Sequence, residues 1–383
     1  MRQIAVAALS ARALAQAAVR DGFEVIALDV FGDADTRRAA SQWRSIGAPA
    51  AEGGWHIDDA LLLDALGELA HADRAQGWIV GAGFEARVDL IEEGARRLPL
   101  LGNGAPTLRG LQHARSFFET LDAHGVAHPP VRFDGPAQAS GWLLKDFAGS
   151  GGWQVRRAQG LPQQTLTATQ HWQREQCDAT PMSATFIADG RRARVLGCNR
   201  QRVHPTRERP FVWCGAIGPV PVPVGIAMQV NAALHALVPA FGLRGLCSLD
   251  FLAFEHGEER IEALEINPRV PASAQLYAAA GVRVIEAHVR ACEHGVLPTP
   301  TATIDAPRGI ATVFAPRELR VSDAATQWLA TQPDVHDIPL RATRFRTDDP
   351  VCSVSAGGDD AVAVQQQLMQ RTQALLAALE TFE

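Results

Sequence analysis

Hydrophobic and polar positions along the chain change their rhythm at about residue 140. Before that point, short apolar runs rich in β-branched residues, at 3–9, 24–30 and 77–83, alternate with stretches of helical spacing at 13–19 and 58–70. Asp21-Gly22 closes the first of those helices. Strand–helix–strand repetition of this kind predicts a parallel, helix-covered sheet over about the first hundred residues. Leu98 to Leu101, followed by Gly102-Asn103-Gly104, predicts a last strand and turn. The spacing then predicts one helix over 109–124, stopped by Gly125 and by Pro129-Pro130. Beyond 140 the pattern is strand-like at 142–147, 153–156, 183–188, 193–198, 211–214, 246–254 and 260–267, with a helix at 226–241. From 308 the tail reads as a small β-rich module with turns at Asp337-Ile-Pro and Asp349-Pro-Val, ended by a helix at 361–380. The expected division is 1–108, 109–300 with a lid over 138–180, and 301–383.

Composition narrows the function classes. The chain has 383 residues, 47% hydrophobic and 20% charged, so it can bury one large core or several smaller ones; its glycines and prolines have no period, which excludes fibrous classes. A net charge of -6 disfavours nucleic acid and anionic membrane as partners. No run approaches the roughly 20 apolar residues of a membrane span. The opening apolar run is cut by Arg12 and reads as a first strand and helix, not as a signal peptide. Six dispersed cysteines without a CxxC pair read as reduced thiols of a cytosolic protein, not as a disulfide frame or zinc site. Lys145 is the only lysine in a chain that otherwise uses arginine, and it stands just before a glycine loop.

Two constellations carry chemistry. Lys145 precedes Gly149-Ser150-Gly151-Gly152. Consecutive glycines let backbone N–H groups approach phosphate oxygens, and a nearby ammonium neutralises them. The order is not that of a Walker A loop, because the lysine comes first. The second constellation is Asp250 with Glu265-Ile266-Asn267-Pro268-Arg269. On a strand, Glu265 and Asn267 face one side. An antiparallel return through His256-Gly257 brings Asp250 alongside them. Two carboxylates and an amide oxygen are hard ligands suited to Mg²⁺. Arg269 is placed to hold a phosphoryl group or a carboxylate.

Together these parts resemble the ATP-grasp superfamily over roughly residues 1–300. The resemblance implies an α/β chain with a Rossmann-like N-terminal domain, a two-part α+β ATP-grasp domain and a small β-rich C-terminal module. It implies ATP and Mg²⁺ (or Mn²⁺) as cofactors. Lys145 would bind the α/β phosphates, Gly149, Ser150, Gly151 and Gly152 would cover them, and Asp250, Glu265 and Asn267 would ligate the metal. Arg269 would meet the γ-phosphate or an acyl phosphate, and Glu175, Gln176 and Asp178 would form the hinge that contacts adenine and ribose. Two positions depart from the family pattern: Arg115 stands where a lysine is common, and Met182 where a ribose-binding glutamate is often found. Ser10-Ala-Arg, the segment Leu28 to Thr36, and Asp337-Ile-Pro with Asp349-Pro-Val-Cys-Ser-Val are similar to the carboligase subgroup that includes tyramine–glutamate ligase of methanofuran-type cofactor biosynthesis. The implied reaction is carboxylate–amine ligation through an acyl phosphate, in the cytoplasm, with small-molecule acid and amine as partners and a homodimer as assembly. Biotin-carboxylase-like activation of bicarbonate and non-catalytic ATP binding are the alternatives. His204 reads either as lining the nucleotide site or as part of a solvated basic strand. Ser273 and Tyr277 read as substrate contacts or helix packing. Asp29 and Asp33 to Asp35, at a strand's C-terminal end, read as a ligand site or a polar turn.

Overall fold

A computed structural model describes residues 2–49, 55–72, 74–162, 165–206, 209–255, 259–299, 304 and 306–382. The turn at His256-Gly257 therefore lies outside the described residues. The first unit is a parallel sheet with strand order Gln42–Ser45, Glu24–Asp29, Gln3–Ala8, Trp78–Val80. Its two central strands, Gln3–Ala8 and Glu24–Asp29, are buried, as the near-continuous apolar runs require when helices cover both faces. The run at Leu98–Leu101 falls short of a strand: only Leu100 bridges Trp78.

The predicted helix over 109–124 is two helices, Ala105–Gln112 and Ala114–Ala123, with His113 extended between them. The break has a visible cause. Ala114 gives its backbone N–H to the carbonyl of Ala168, 2.9 Å away, and the His113 ring accepts the N–H of Ser116 in place of the missing turn. Next comes a small antiparallel sheet ordered Val131–Arg132, Gln170–Arg174, Trp142–Asp146, Arg156–Arg157. The strand expected at 153–156 shrinks to Arg156–Arg157, because Gly151 and Gly152, at φ 58° and 74°, turn the chain first.

The large sheet is antiparallel throughout. Its order is Arg260–Asn267, Arg244–Phe254, Thr180–Asp189, Ala193–His204, Val212–Val220, Arg308–Phe314, Pro350–Gly357, Val335–His336. The tail thus adds Arg308–Phe314, Val335–His336 and Pro350–Gly357 to this sheet, keeps Leu319–Val321 and Thr343–Phe345 as a separate pair, and packs the helix Ala361–Glu380 on the large sheet through Val364, Leu368, Leu375 and Leu379. The helix Val224–Phe241 is 18 residues long and apolar enough to cross a membrane, which the sequence pattern did not lead us to expect. Here it lays Ile226, Val230, Ala233, Leu234, Leu237 and Val238 into the core beneath the sheet. All six cysteines are free.

Candidate active site

Strand register assembles the acidic part of the site. Asp250 is paired with Glu265 and Ser248 with Asn267 across antiparallel strands, so all four side chains share one face. The opposite face sends Leu249, Phe251 and Ile266 into the core. Asn267 donates its amide to Asp250 at 3.1 Å, and Arg269 donates to the Asn267 amide oxygen at 3.3 Å. Burial, and then the charge of Glu265, push the Asp250 carboxyl up to about 7; Lys145 and Arg269 act in the other direction.

Arg269 is held from its other side by Glu85, which accepts its Nε at 2.6 Å. The same Glu85 oxygen accepts the hydroxyl of Ser150 from the glycine loop at 2.8 Å. Burial raises the Glu85 pKa, but Arg269 and the hydrogen bonds outweigh it and hold the carboxyl below its ordinary range. Glu85 was not among the residues singled out from sequence. Its signal was position: it follows the strand Trp78–Val80 at the C-terminal edge of the parallel sheet, where such sheets bind ligands.

Lys145 lies on the strand Trp142–Asp146, and among the described residues it has no hydrogen-bond or ion-pair partner. Its cross-strand neighbour is His171, which is fully buried between Phe118 and Phe147. Among the described residues neither ring nitrogen of His171 has a hydrogen-bond partner, and burial, followed by the Lys145 charge, lowers its pKa to about 3. The ring is therefore a neutral backing to the lysine strand.

The glycine loop rests on the strand Val212–Val220. The N–H of Trp213 reaches the Gly151 carbonyl at 2.8 Å, and a Cβ on Gly152 would collide with the Phe211 carbonyl. Glu85, Gly149, Glu265, Asn267 and Arg269 line one cavity of ≈ 820 Å³ including its open mouth, with Phe117 and Phe147 among its apolar walls. Lys145, Asp250 and the 175–178 segment are not part of that lining.

Glu175, Gln176 and Asp178 connect the small sheet to the large one. Glu175 is paired with Arg157 at 3.1 Å and Asp178 is exposed. Arg115 is exposed and lies over the Phe133 ring, 4.4 Å from its centroid. Met182 is buried in the core, away from any ribose role. Ser273 and Tyr277 are buried in a polar network with Thr185 and Asn199, which is packing and not a substrate contact. His204 stacks on Phe314 and meets Asp348 at 3.1 Å.

The donors present fit a hard divalent cation. Asp250 and Glu265 are close enough to repel each other at a half-buried site, and a 2+ charge would relieve that repulsion. Among the described residues no three of His, Cys, Asp and Glu gather into a metal cage. Two carboxylates and an amide instead suit an ion that completes its shell with phosphate oxygens and water.

Residues 114–273 match the family model for the ATP-grasp domain. The fold is similar to that of biotin carboxylase from Campylobacter jejuni, solved as a βγ-ATP complex, with TM-score 0.71, 13% identity, and 98% of this chain and 95% of that chain covered. It is also similar to an L-amino acid ligase from Bacillus licheniformis, with TM-score 0.68, 12% identity and 97% of each chain covered. A third neighbour is N5-carboxyaminoimidazole ribonucleotide synthetase from Thermotoga maritima, with TM-score 0.63, 12% identity, and 97% of this chain and 98% of that chain covered. No curated protein matches the sequence.

Proposed function

We propose, from the match of residues 114–273 to the ATP-grasp domain and the shared fold of its neighbours, that the chain is an ATP-grasp enzyme, an ATP-dependent carboxylate–amine ligase acting through an acyl phosphate. The observation that carries the reading is the hydrogen-bonded series Asp250–Asn267–Arg269–Glu85–Ser150, whose middle members Asn267, Arg269 and Glu85 line the cavity and whose ends join it to a metal donor and to the glycine loop. In the proposed reaction a carboxylate oxygen attacks the γ-phosphorus of ATP, the β–γ bridge breaks, and ADP leaves. The amine nitrogen then attacks the acyl carbon, a proton is lost from nitrogen, the acyl C–O bond breaks, and inorganic phosphate leaves with the former carboxylate oxygen. A divalent cation held by Asp250, Glu265 and Asn267 would neutralise phosphate charge and polarise the group in transfer.

The chain's own residues supply the rest. Lys145, without a hydrogen-bond or ion-pair partner among the described residues, is available to phosphate oxygens, and the glycine loop 149–152 follows directly after its strand. Arg269 cannot swing away while Glu85 and Asn267 hold it, so its guanidinium is pre-aimed at charge developing on the carboxyl carbon's oxygens. Within this class, the subgroup likeness supports glutamate as the acid and a tyramine-like amine. The unpaired thiols accord with a cytoplasmic setting.

ADP release from Mg-ATP tests the reading. Glutamate and tyramine are omitted in turn, a wider acid and amine panel follows, and bicarbonate is a separate arm. ADP that requires both an acid and an amine is the expected result. ADP released with bicarbonate alone would transfer the reading to a carboxylase-type reaction, which the fold likeness to biotin carboxylase favours as the second choice. ATP binding without ADP under any combination would leave a non-catalytic module.

A further inference from the structure

The cavity that holds Arg269 has two kinds of wall. One carries Glu85, Glu265, Asn267 and Arg269, and the other is apolar, built from Phe84, Ile91, Leu108, Leu111, Phe117 and Phe147. Several elements converge to make the apolar wall. Ile91 comes from the helix Val88–Arg97, Leu108 and Leu111 share one face of Ala105–Gln112, and Phe117 comes from Ala114–Ala123. Phe147 follows the strand of Lys145 and meets Phe117 edge to face, with ring centroids 5.2 Å apart. Lys145 and Asp250, assigned above to phosphate and metal, are not part of this lining, so the apolar wall has a different occupant. The space of ≈ 820 Å³, mouth included, lies in the range of small-molecule sites.

The polar groups of the lining are unevenly spent. Asn103 gives its amide to the carbonyls of Arg244 and Pro268, at 3.0 and 2.9 Å, and takes the Arg244 N–H at 2.8 Å. His288 takes the N–H of Leu246 on Nδ1 at 2.8 Å, so its Nε2 donates to the Leu101 carbonyl at 2.9 Å and the ring is neutral. Gln112 donates to the backbone carbonyl of Glu85. Arg269 is different. Its Nε and Nη2 bind Glu85 and Asn267, whereas its Nη1 makes no hydrogen bond among the described residues. Arg269 is also the only cation among the described lining residues, and it faces two carboxylates, Glu85 and Glu265.

We propose that this cavity holds the acid substrate and that the acid is a monocarboxylate with an apolar body. Its carboxylate meets Nη1 of Arg269, and its aryl or branched alkyl body lies along the apolar wall. The inference rests on the ligase reading for which group reacts, whereas the demand for an apolar body comes from the wall alone. One cation set against two fixed carboxylates can answer one negative charge on a ligand and no second. A further ligand carboxylate would lie against apolar side chains without a cation to pair with, which is costly. An apolar group in the same place gains by leaving water. The subgroup likeness supports glutamate, a dicarboxylate, so wall and likeness make opposite demands, and one experiment separates them.

Titration calorimetry on the full chain with Mg-ADP compares pentanoate with glutarate, which differ in a terminal methyl against a carboxylate. 3-Phenylpropanoate and glutamate form a second, wider comparison. The two monocarboxylates should bind about 10- to 100-fold more tightly than glutarate and glutamate. Leu108→Ala should weaken 3-phenylpropanoate by about 5- to 50-fold. Mg-ADP binding in the same sample shows that the variant is folded; if it is not, the wild-type comparison decides alone. Equal or tighter binding of glutarate or glutamate, or no binding of either monocarboxylate, overturns the proposal. A folded Leu108→Ala that keeps its affinity for 3-phenylpropanoate overturns it as well. ADP release from Mg-ATP with the same acids and an amine panel keeps the two readings apart. ADP released with glutamate but with neither monocarboxylate supports the ligase reading and sinks this inference. Preferred binding of the monocarboxylates without ADP release counts against the ligase reading and leaves the cavity assignment standing.

Discussion

Two acidic regions of this molecule bury carboxylates and settle the charge in opposite ways. At the edge of the large sheet, Asp250 and Glu265 lie side by side, answered in part by Asn267 and by the field of Arg269 and Lys145. At the junction with the tail, Arg12 satisfies Asp337 with paired hydrogen bonds, and backbone N–H groups satisfy Asp29 and Asp35. Three of four carboxylates there are finished business for the fold, and one, Asp33, is left over. The difference teaches that density of negative charge is a poor guide to function.

The contrast can be broken first at the sheet. Lys145→Ala should lower the turnover of Mg-ATP by about 10²- to 10³-fold, because a preorganised cation facing transferred charge is lost. A change below about fivefold would make the sheet region as structural as the junction. Glu265→Gln should act in the same range and also weaken the dependence on Mg²⁺, measured by metal titration of ADP release. The junction is sharpened by Arg12→Ala. Removing the cation of a buried pair costs about 3–5 kcal/mol, read as a shift in urea midpoint at an unchanged slope. Stability lost by less than about 1 kcal/mol would show that the junction is not held by this pair.

The smallest effects are titrations. Arg12 holds Asp337 down to about 2, after burial has pushed it the other way. Its folded pKa is therefore below the unfolded value of 3.8, so its stabilising contribution is full above that value and is lost as pH falls toward 2. Asp337→Asn should remove this acid-side slope. His171 also weakens the fold in acid, because a ring lowered to about 3 takes up its proton more readily once unfolded; stability falls as pH drops from 6.5 toward 3. His171→Phe, with no hydrogen bond to lose between Phe118 and Phe147, should move the acid-unfolding midpoint down by about half a pH unit.

How far the sequence could be read follows from the distances along the chain. Glu265, Asn267 and Arg269 fall within five residues, and strand alternation alone puts the first two on one face. Lys145 and the glycine loop are equally local. Glu85 was not legible because its meaning comes from Arg269, 184 positions away, and from Ser150, 65 away. The break at His113 was hidden for a similar reason: its helical spacing is sound, and only the carbonyl of Ala168 competes for the next N–H. The tail read as a module of its own because its strands have ordinary alternation, which does not reveal that Gly309 will pair with Ile217 in the large sheet. Asp33 to Asp35 were noticed for standing at a strand end, but nothing nearby in the sequence announces Arg12 or Asp337 as their company.

The bonds between Asp35 and the backbone at Asp337 span 302 positions, and they impose an order in time. At roughly 5–20 residues per second of synthesis, about 15–60 s separate the emergence of the two ends of that contact. During that interval the N-terminal sheet can pair its strands, yet Arg12 still lacks the carboxylate that neutralises it best. The nascent chain must therefore keep its first unit hydrated along this edge until a segment made 302 positions later arrives to complete it.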